Sequence, residues 1–208
     1  MRSFGTGTAV RTVSSPLWID GPAGRLEAVL SPPTSNTVAG LAIICHPHPL
    51  HGGNFNNKVV VTLARACNDL GLAALRFNFR GVGGSAGQFA QGDGETEDAR
   101  AALAWGQVYF PGQPMWLAGF SFGGYVAYRV ACEGGVACLI TVAPAVTWFA
   151  ASGGGSPACP WLVVQGAADE IVDPRAVTAW AAGMRPVPEV IMLPEVGHFF
   201  HGQLTALR

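Results

Sequence analysis

Short apolar runs alternate with amphipathic segments along most of the chain, and this alternation restricts the fold more than any other feature of the sequence. Apolar runs bounded by Gly or Pro predict strands, here at residues 26–30, 41–45, 72–77, 115–120, 136–142, 161–165 and 190–193. The segments between them predict helices at 58–70, 95–108, 123–132 and 174–183, with a short helix near the C-terminus. Strands that are apolar throughout are typical of a parallel sheet with helices on both faces. The sequence therefore predicts an α/β fold, and no linker divides residues 1–208 into more than one domain.

The composition excludes several classes of protein. Apolar residues make up 50% of the 208 residues and charged residues 12%, so the chain is not intrinsically disordered. A net charge of −1 provides no basic surface for nucleic acid or anionic lipid. The longest charge-free stretch, residues 134–168, is interrupted by prolines and glycines and does not predict a membrane helix. The first seven residues lack the apolar stretch of a signal peptide and the five cysteines have no C-x-x-C spacing, so we expect a cytoplasmic protein.

A candidate nucleophile lies between a predicted strand and a predicted helix. Residues 119–123, Gly-Phe-Ser-Phe-Gly, match the G-x-S-x-G pattern of the nucleophile elbow, in which a serine sits on a sharp turn from strand to helix. Residues 83–87 match the same pattern, but the sequence after them does not predict a helix. We therefore assign the nucleophile to Ser121 and expect Ser85 to be a loop residue.

A serine nucleophile needs a base, and the base needs an acid that orients it. After an elbow of this kind the acid and the base follow the serine in that order along the chain. Asp169 directly follows a predicted strand and is the candidate acid, with Glu170 as its nearest rival. Asp173 precedes a proline and is predicted to cap a helix. His198 follows the last predicted strand and is the candidate base.

Acyl transfer also requires backbone N–H groups that bind the oxyanion. One donor is expected from Phe122, directly after the nucleophile, and the other from the loop after the strand at 41–45. That loop reads His-Pro-His-Pro-Leu-His-Gly-Gly over residues 46–53, and proline has no N–H to donate. His48 is therefore the favoured second donor, with Leu50 as the alternative.

The same loop allows a different hypothesis, because His46, His48 and His51 lie within six residues. Histidines at this density can bind zinc, and a metal-dependent hydrolase would be sensitive to chelators. No carboxylate lies nearby and two prolines stiffen the loop, so we favour a rigid loop whose imidazoles bond to the backbone. Neither a metal nor another cofactor is expected.

With these residues placed, the chain resembles the α/β-hydrolase superfamily over essentially its whole length, and most of all its small, lidless bacterial serine hydrolases. The likeness is carried by residues 46–53, 57–60, 76–83, 119–123, 166–172 and 197–200. The resemblance implies an eight-stranded, mostly parallel sheet whose second strand is antiparallel. It also implies a catalytic triad of Ser121, Asp169 and His198, the residues that the elbow and the chain order already indicate.

Caps in this superfamily are commonly inserted after the sixth strand. Here only residues 143–160 fill that connection, too few for a helical lid, which favours small and accessible esters or thioesters. By their position in loops, Phe55, Trp148 and Phe199 are candidate substrate-binding residues, with packing in the core as the alternative for each.

Together these observations predict a serine hydrolase that acts on a small-molecule carboxylic ester through an acyl-enzyme. A thioesterase, an acyltransferase or a peptidase would use the same triad, and the sequence does not distinguish them. A non-catalytic ligand-binding protein on the same fold is the alternative from another class. Neither nucleic acid nor a membrane is expected as a partner, and the oligomeric state stays open.

Overall fold

The computed structural model describes residues 15–151 and 155–208. Its centre is an eight-stranded sheet in the order β1-β2-β4-β3-β5-β6-β7-β8. β2 pairs antiparallel with β1 and β4, whereas the remaining neighbours are parallel. The prediction of a mostly parallel sheet with an antiparallel second strand is confirmed. The strands are β1 (Ser15–Gly21), β2 (Gly24–Ser31), β3 (Leu41–Cys45), β4 (Ala73–Phe77), β5 (Met115–Phe120), β6 (Cys138–Val142), β7 (Trp161–Gly166) and β8 (Glu189–Leu193).

Helices cover both faces of this sheet, as the apolar strands require. The α-helices are α1 (Lys58–Asp69), α2 (Asp93–Tyr109), α3 (Phe122–Cys132), α4 (Val146–Ala151), α5 (Pro174–Ala182) and α6 (Leu204–Leu207), and a 3₁₀ turn spans Pro49–His51. Apolar residues of α2, α3 and α5 are buried against one face and those of α1 against the other, where the partly buried leucines of α6 also pack. In the described part of the chain, every helix is too short or too polar to span a bilayer.

Two elements differ from the sequence prediction. The sequence does not predict β1, because Ile19 is the one buried residue in this strand and its apolar pattern is weak. The strand forms by pairing with β2 at the edge of the sheet. α4 lies in the connection over 143–160, where the sequence predicts only a loop. The prediction that the first seven residues carry no signal peptide concerns a segment outside the described residues. All five cysteines are described and are free thiols.

The parallel strands bring the candidate site residues to one edge of the sheet. Strands β3, β5, β7 and β8 run in the same direction, so their carboxyl ends lie at the same edge. The loops after these strands carry His48, Ser121, Asp169 and His198, respectively. Ligands of open α/β sheets bind at this edge.

Candidate active site

Ser121 lies at the turn between β5 and α3 and has a strained backbone. Its φ of 54° and ψ of −118° belong to a region that non-glycine residues rarely adopt. Two glycines make the turn possible, because a Cβ on Gly119 would lie 2.1 Å from the Gly123 carbonyl oxygen. A Cβ on Gly123 would lie 2.3 Å from the carbonyl oxygen of Cys45. The chain therefore needs the flanking glycines to present Ser121 on so sharp a turn.

The structure brings Ser121, His198 and Asp169 together. The distance from His198 Nε2 to Ser121 Oγ is 3.2 Å, and that from His198 Nδ1 to Asp169 Oδ2 is 2.9 Å. An ionised carboxylate only accepts hydrogen bonds, so Nδ1 carries the proton and donates it. In the neutral imidazole with this proton on Nδ1, His198 Nε2 is the unprotonated nitrogen and accepts from the Ser121 hydroxyl. This tautomer is the one that a general base at Ser121 requires.

Four hydrogen bonds hold the Asp169 carboxylate in place. Oδ1 accepts from the backbone N–H groups of Ile171 at 2.9 Å and Val172 at 2.8 Å. Oδ2 accepts from Gln165 Nε2 at 2.9 Å as well as from His198. Burial raises the pKa of Asp169, but the hydrogen bonds from His198, Val172 and Ile171 outweigh it, and the pKa lies below its usual range. Asp169 is therefore ionised at neutral pH.

The two neighbouring carboxylates have other partners. Asp173 accepts from the Arg175 backbone N–H at 2.9 Å and caps α5, so its predicted role as a helix cap is confirmed. Glu170 Oε2 accepts from the backbone N–H of His198 at 3.1 Å. Sequence reasoning treated Glu170 only as a rival to Asp169 and missed this contact. No local pattern would have revealed it, since 28 positions separate the two residues.

The predicted oxyanion donors have free amides. Phe122 is the first residue of α3, and neither its N–H nor that of His48 donates to any other described residue. The N–H of Leu50, in contrast, donates to His48 Nδ1 at 3.2 Å, which caps the 3₁₀ turn. Of the two alternatives for the second donor, this contact favours His48 over Leu50.

An aromatic cluster surrounds the His48 side chain. Its ring centroid lies 4.8 Å from that of Phe89, 5.0 Å from that of Phe122 and 5.8 Å from that of Trp148. Trp148 reaches this cluster from α4 and also contacts Tyr125 at 5.7 Å. Sequence reasoning selected Trp148 but missed Phe89 and Tyr125, because the fold brings them together from separate elements.

The other two candidate substrate-binding residues lie apart from this cluster. Phe199 is 44% exposed and its ring stands edge-on to His198 with the centroids 5.1 Å apart, so it borders the His198 side chain. Phe55 is buried, and its backbone N–H donates to Asn78 Oδ1 at 2.9 Å. Its ring packs under the Arg76 guanidinium. These contacts hold Phe55 in the packed interior, and it also lines a cavity with Pro49 and Gly53, so its assignment to substrate binding stays a prediction.

The remaining candidates have structural partners. Ser85 Oγ donates to the Asn78 carbonyl at 2.8 Å and accepts from the Glu27 N–H at 2.9 Å, so its assignment as a loop residue is confirmed. His46 Nε2 accepts from the Phe79 N–H at 3.0 Å, and its Nδ1 bonds to the carbonyl of the next residue. Burial lowers the pKa of His46 to about 4, so the ring is neutral. Over residues 15–151 and 155–208, no three His, Cys, Asp or Glu side chains are grouped to hold a metal ion.

Several known proteins are similar to this chain. The model of a family described as serine aminopeptidase, S33, matches residues 48–157. A solved α/β serine hydrolase homologue from Coxiella burnetii is 45% identical, covers 93% of both chains and superposes with a TM-score of 0.90. A Xanthomonas campestris protein, described as a serine hydrolase without a lid, is 43% identical, covers 97% of this chain and 93% of its own, and has a TM-score of 0.88.

The chain is also similar in sequence to a curated protein. An uncharacterized protein from Rickettsia prowazekii is 46% identical over 115 residues, which are 55% of this chain and 48% of that protein. The chain thus spans about half the length of this relative. The family model covers more than half of the chain, and the two solved structures match nearly all of it. The chain therefore belongs to the serine aminopeptidase S33 family of the α/β-hydrolase superfamily.

Proposed function

We propose that this chain hydrolyses small carboxylic esters, with Ser121 as nucleophile, His198 as general base and Asp169 as the acid that orients the base. One observation carries the proposal, namely the hydrogen-bonded series from Ser121 Oγ through His198 to Asp169. The strained backbone at Ser121 supports it, because such strain persists where function needs it. A protein that only binds a ligand has no need of this combination.

The proposed reaction has two half-reactions, acylation and deacylation of Ser121, and His198 acts first as base and then as acid in each. His198 Nε2 takes the hydroxyl proton as Ser121 Oγ attacks the ester carbonyl carbon, and the ionised Asp169 stabilises the imidazolium. His198 then gives this proton to the departing alkoxide as the C–O bond breaks, which leaves an acyl group on Ser121. A water molecule, activated by His198 in the same way, hydrolyses the acyl-enzyme and restores the serine. No cofactor takes part.

The oxyanion of each tetrahedral intermediate would be held by the N–H groups of Phe122 and His48. Both amides are free of other hydrogen bonds to described residues, so no bond has to break when the oxyanion forms. The Phe122 amide also lies at the N-terminus of α3, where the helix dipole favours negative charge. Donors that need no rearrangement stabilise the transition state most effectively.

The surroundings of the site favour small substrates. In the described part of the connection between β6 and β7, the six-residue α4 is the one helix, and it is too short to cover a long acyl chain. We infer that Trp148 and Phe89 form an apolar wall for the acyl or alcohol group, and that Phe199 borders the entrance beside His198. A shallow wall of this kind suits a short acyl chain or a single ring.

Labelling with a fluorophosphonate tests the nucleophile directly. We expect one adduct by intact mass, located on Ser121 by peptide mapping, and none in the Ser121→Ala variant. Ser85→Ala is the matched control, because Ser85 stands in the same G-x-S-x-G pattern but has two structural hydrogen bonds. An adduct on Ser85, or none on folded wild-type protein, would contradict the proposal.

A substrate series then separates the ester proposal from its alternatives. We expect kcat/KM to be highest for acetyl and butyryl p-nitrophenyl esters and to fall for the lauroyl ester. Acyl-CoA thioesters and aminoacyl p-nitroanilides, assayed in parallel with Ser121→Ala as blank, represent thioesterase and aminopeptidase activity. A higher kcat/KM for either of these would replace the carboxylic ester as substrate while leaving the triad in place.

A further inference from the structure

The strand–loop segment over 76–80 carries two buried arginines with very different surroundings. Arg76 and Arg80 are each 8% exposed. Arg80 is neutralised by Asp98, with Nη2 2.8 Å and Nε 3.1 Å from Oδ1, and it also bonds to Glu97. Arg76 has no carboxylate partner among the described residues. A buried charge is normally paired, so Arg76 is the exception that needs an explanation.

Of the three side-chain nitrogens of Arg76, one has a hydrogen-bond partner among the described residues. Its Nη1 donates to the Phe55 carbonyl oxygen at 2.7 Å. Nε is buried without a partner, and Nη2 has none among the described residues. Nε and Nη2 form one edge of the guanidinium, the edge that binds two oxygens of a carboxylate or a phosphate side by side. The free edge is therefore the one suited to an oxyanion.

This arginine lines a cavity of about 330 Å³ between α1, the end of β2 and the C-terminal residues. Arg65 of α1 also lines the cavity, is exposed, and has no ion pair with a described residue. Burial and the nearby Arg65 lower the pKa of Arg76, which shows that the two charges repel each other. Arg208 and Asp69 line it as well but neutralise each other at 2.7 Å. The cavity thus has two unpaired positive charges.

The rest of the lining is fixed and offers no competing acid. Asn68 donates to the carbonyl oxygens of Ser31 and Leu72 and accepts from the Ser31 hydroxyl, so its amide is fully used. None of the lining residues belongs to the Ser121 site. The volume is at the lower end of the range for ligand pockets, which limits an occupant to a small molecule.

We propose that this cavity is a second binding site, for a small organic acid or organic phosphate whose oxyanion is held by Arg76 and Arg65. The carboxylate or phosphate would take the free edge of Arg76, with a small shift of that side chain to expose Nε. The paired Arg208 and Asp69 would remain at the rim. This site is separate from the proposed esterase site and does not depend on it.

Thermal unfolding in the presence of anions tests the site. We use inorganic phosphate and succinate as probes, against sodium chloride at matched ionic strength. A ligand that binds only the folded state raises Tm along a saturating curve, whereas the general stabilisation by excluded anions has no saturation. We expect saturation by at least one probe, and the more effective probe distinguishes a phosphate from a carboxylate ligand.

Two variants and one control locate the effect. Arg65→Gln and Arg76→Lys should each weaken the apparent affinity by about tenfold or more, as expected for loss of a charge-assisted hydrogen bond. Arg175→Gln removes an exposed arginine from α5, far from the cavity, and should leave the affinity unchanged. If Arg76→Lys fails to fold, Arg65→Gln decides, since that side chain is exposed.

Two results would overturn the proposal. One is a Tm that rises without saturation for both probes in the wild-type protein. The other is saturable binding that Arg65→Gln leaves unchanged, because the anion would then bind elsewhere. Fluorophosphonate labelling of Ser121 is measured in the same samples, so failure of the esterase proposal remains distinguishable from failure of this one.

Discussion

Replacing Asp169 by asparagine tests the hydrogen-bond pattern of the site, because the substitution keeps the shape of the side chain and turns one oxygen into an amino group. Oδ1 accepts from the N–H groups of Ile171 and Val172, and Oδ2 accepts from Gln165 and His198. All four partners are donors. In either orientation the new amino group therefore faces two donors and loses two hydrogen bonds.

The orientation that turns the amino group toward Gln165 and His198 has the lower free energy, because these two side chains can adapt and backbone amides cannot. The Gln165 amide can flip to present Oε1, which is buried and has no partner among the described residues, and the flip gives up the weaker bonds from Nε2 to the Gly166 and Val172 carbonyls. His198 can adapt only by exchanging tautomers, so that Nδ1 accepts and Nε2 carries the proton. In that form His198 cannot take the proton of Ser121, and we expect the rate of acylation to fall by about 10⁴-fold. Stability should fall by only about 1–3 kcal/mol, since part of the bonding is restored.

The assay compares the second-order rate of fluorophosphonate labelling with the free energy of unfolding in urea. Asp173→Asn is the matched control, because asparagine caps helices as well as aspartate does and Asp173 has no contact with His198. The control should keep the wild-type labelling rate and stability. A folded Asp169→Asn protein that labels within tenfold of the wild-type rate would refute the tautomer argument.

The same variant has a defined effect on stability as a function of pH. The pKa of Asp169 is lower in the folded protein than in the unfolded chain, where it is about 3.9. Its contribution to stability is therefore complete above that value and is lost as the pH falls through the folded pKa. Asp169→Asn should remove this contribution, so its unfolding free energy should fall less steeply than that of the wild type below about pH 4.

Three further predictions concern the scaffold. Asp173→Ala should lower the free energy of unfolding by about 1 kcal/mol, as a lost helix cap, with labelling unchanged; a loss of labelling would instead assign Asp173 to the triad. Ser85→Ala should lower the free energy of unfolding, measured in urea, by about 1–3 kcal/mol, because the buried Asn78 carbonyl loses the hydroxyl that donates to it. The pKa of His46 is about 4 in the folded state, below its ordinary 6.5, so the unfolded chain binds a proton more readily than the folded protein. The free energy of unfolding should therefore fall by about 3 kcal/mol as the pH drops from above 6.5 to 4. Unfolding of His46→Gln over the same pH range should lack this slope.

The fold and the candidate site residues are accessible from sequence because both depend on short-range patterns. Apolar runs with Gly or Pro at their ends place most strands to within two residues, and the carboxyl ends of parallel strands meet at one edge. Ser121, Asp169 and His198 each follow such a run directly. Their order along the chain then allows few alternatives, and helix-cap chemistry at Asp173 removes one of them.

What the sequence does not reveal is set by contacts between distant elements. β1 is missed because an edge strand is held by backbone pairing and needs little apolar pattern. Phe55 and Trp148 are equivalent as aromatic residues in predicted loops, yet one is buried under a guanidinium and the other lies against His48. The difference depends on where α4 lies, and the sequence over 143–160 predicts only a loop.

Arg76 and Arg80 show the same limit in terms of charge. They are four residues apart in one strand–loop segment, and nothing local in the sequence assigns them different roles. Arg80 meets Asp98 from α2, whereas Arg76 lies on the other face of the sheet, next to Arg65 of α1. Whether a buried arginine is neutralised by its own chain or left for a ligand is thus decided by which helix covers it. If phosphate or succinate binds at Arg76, its unpaired charge belongs to a binding site. Buried arginines without a carboxylate partner would then mark ligand sites in other proteins as well.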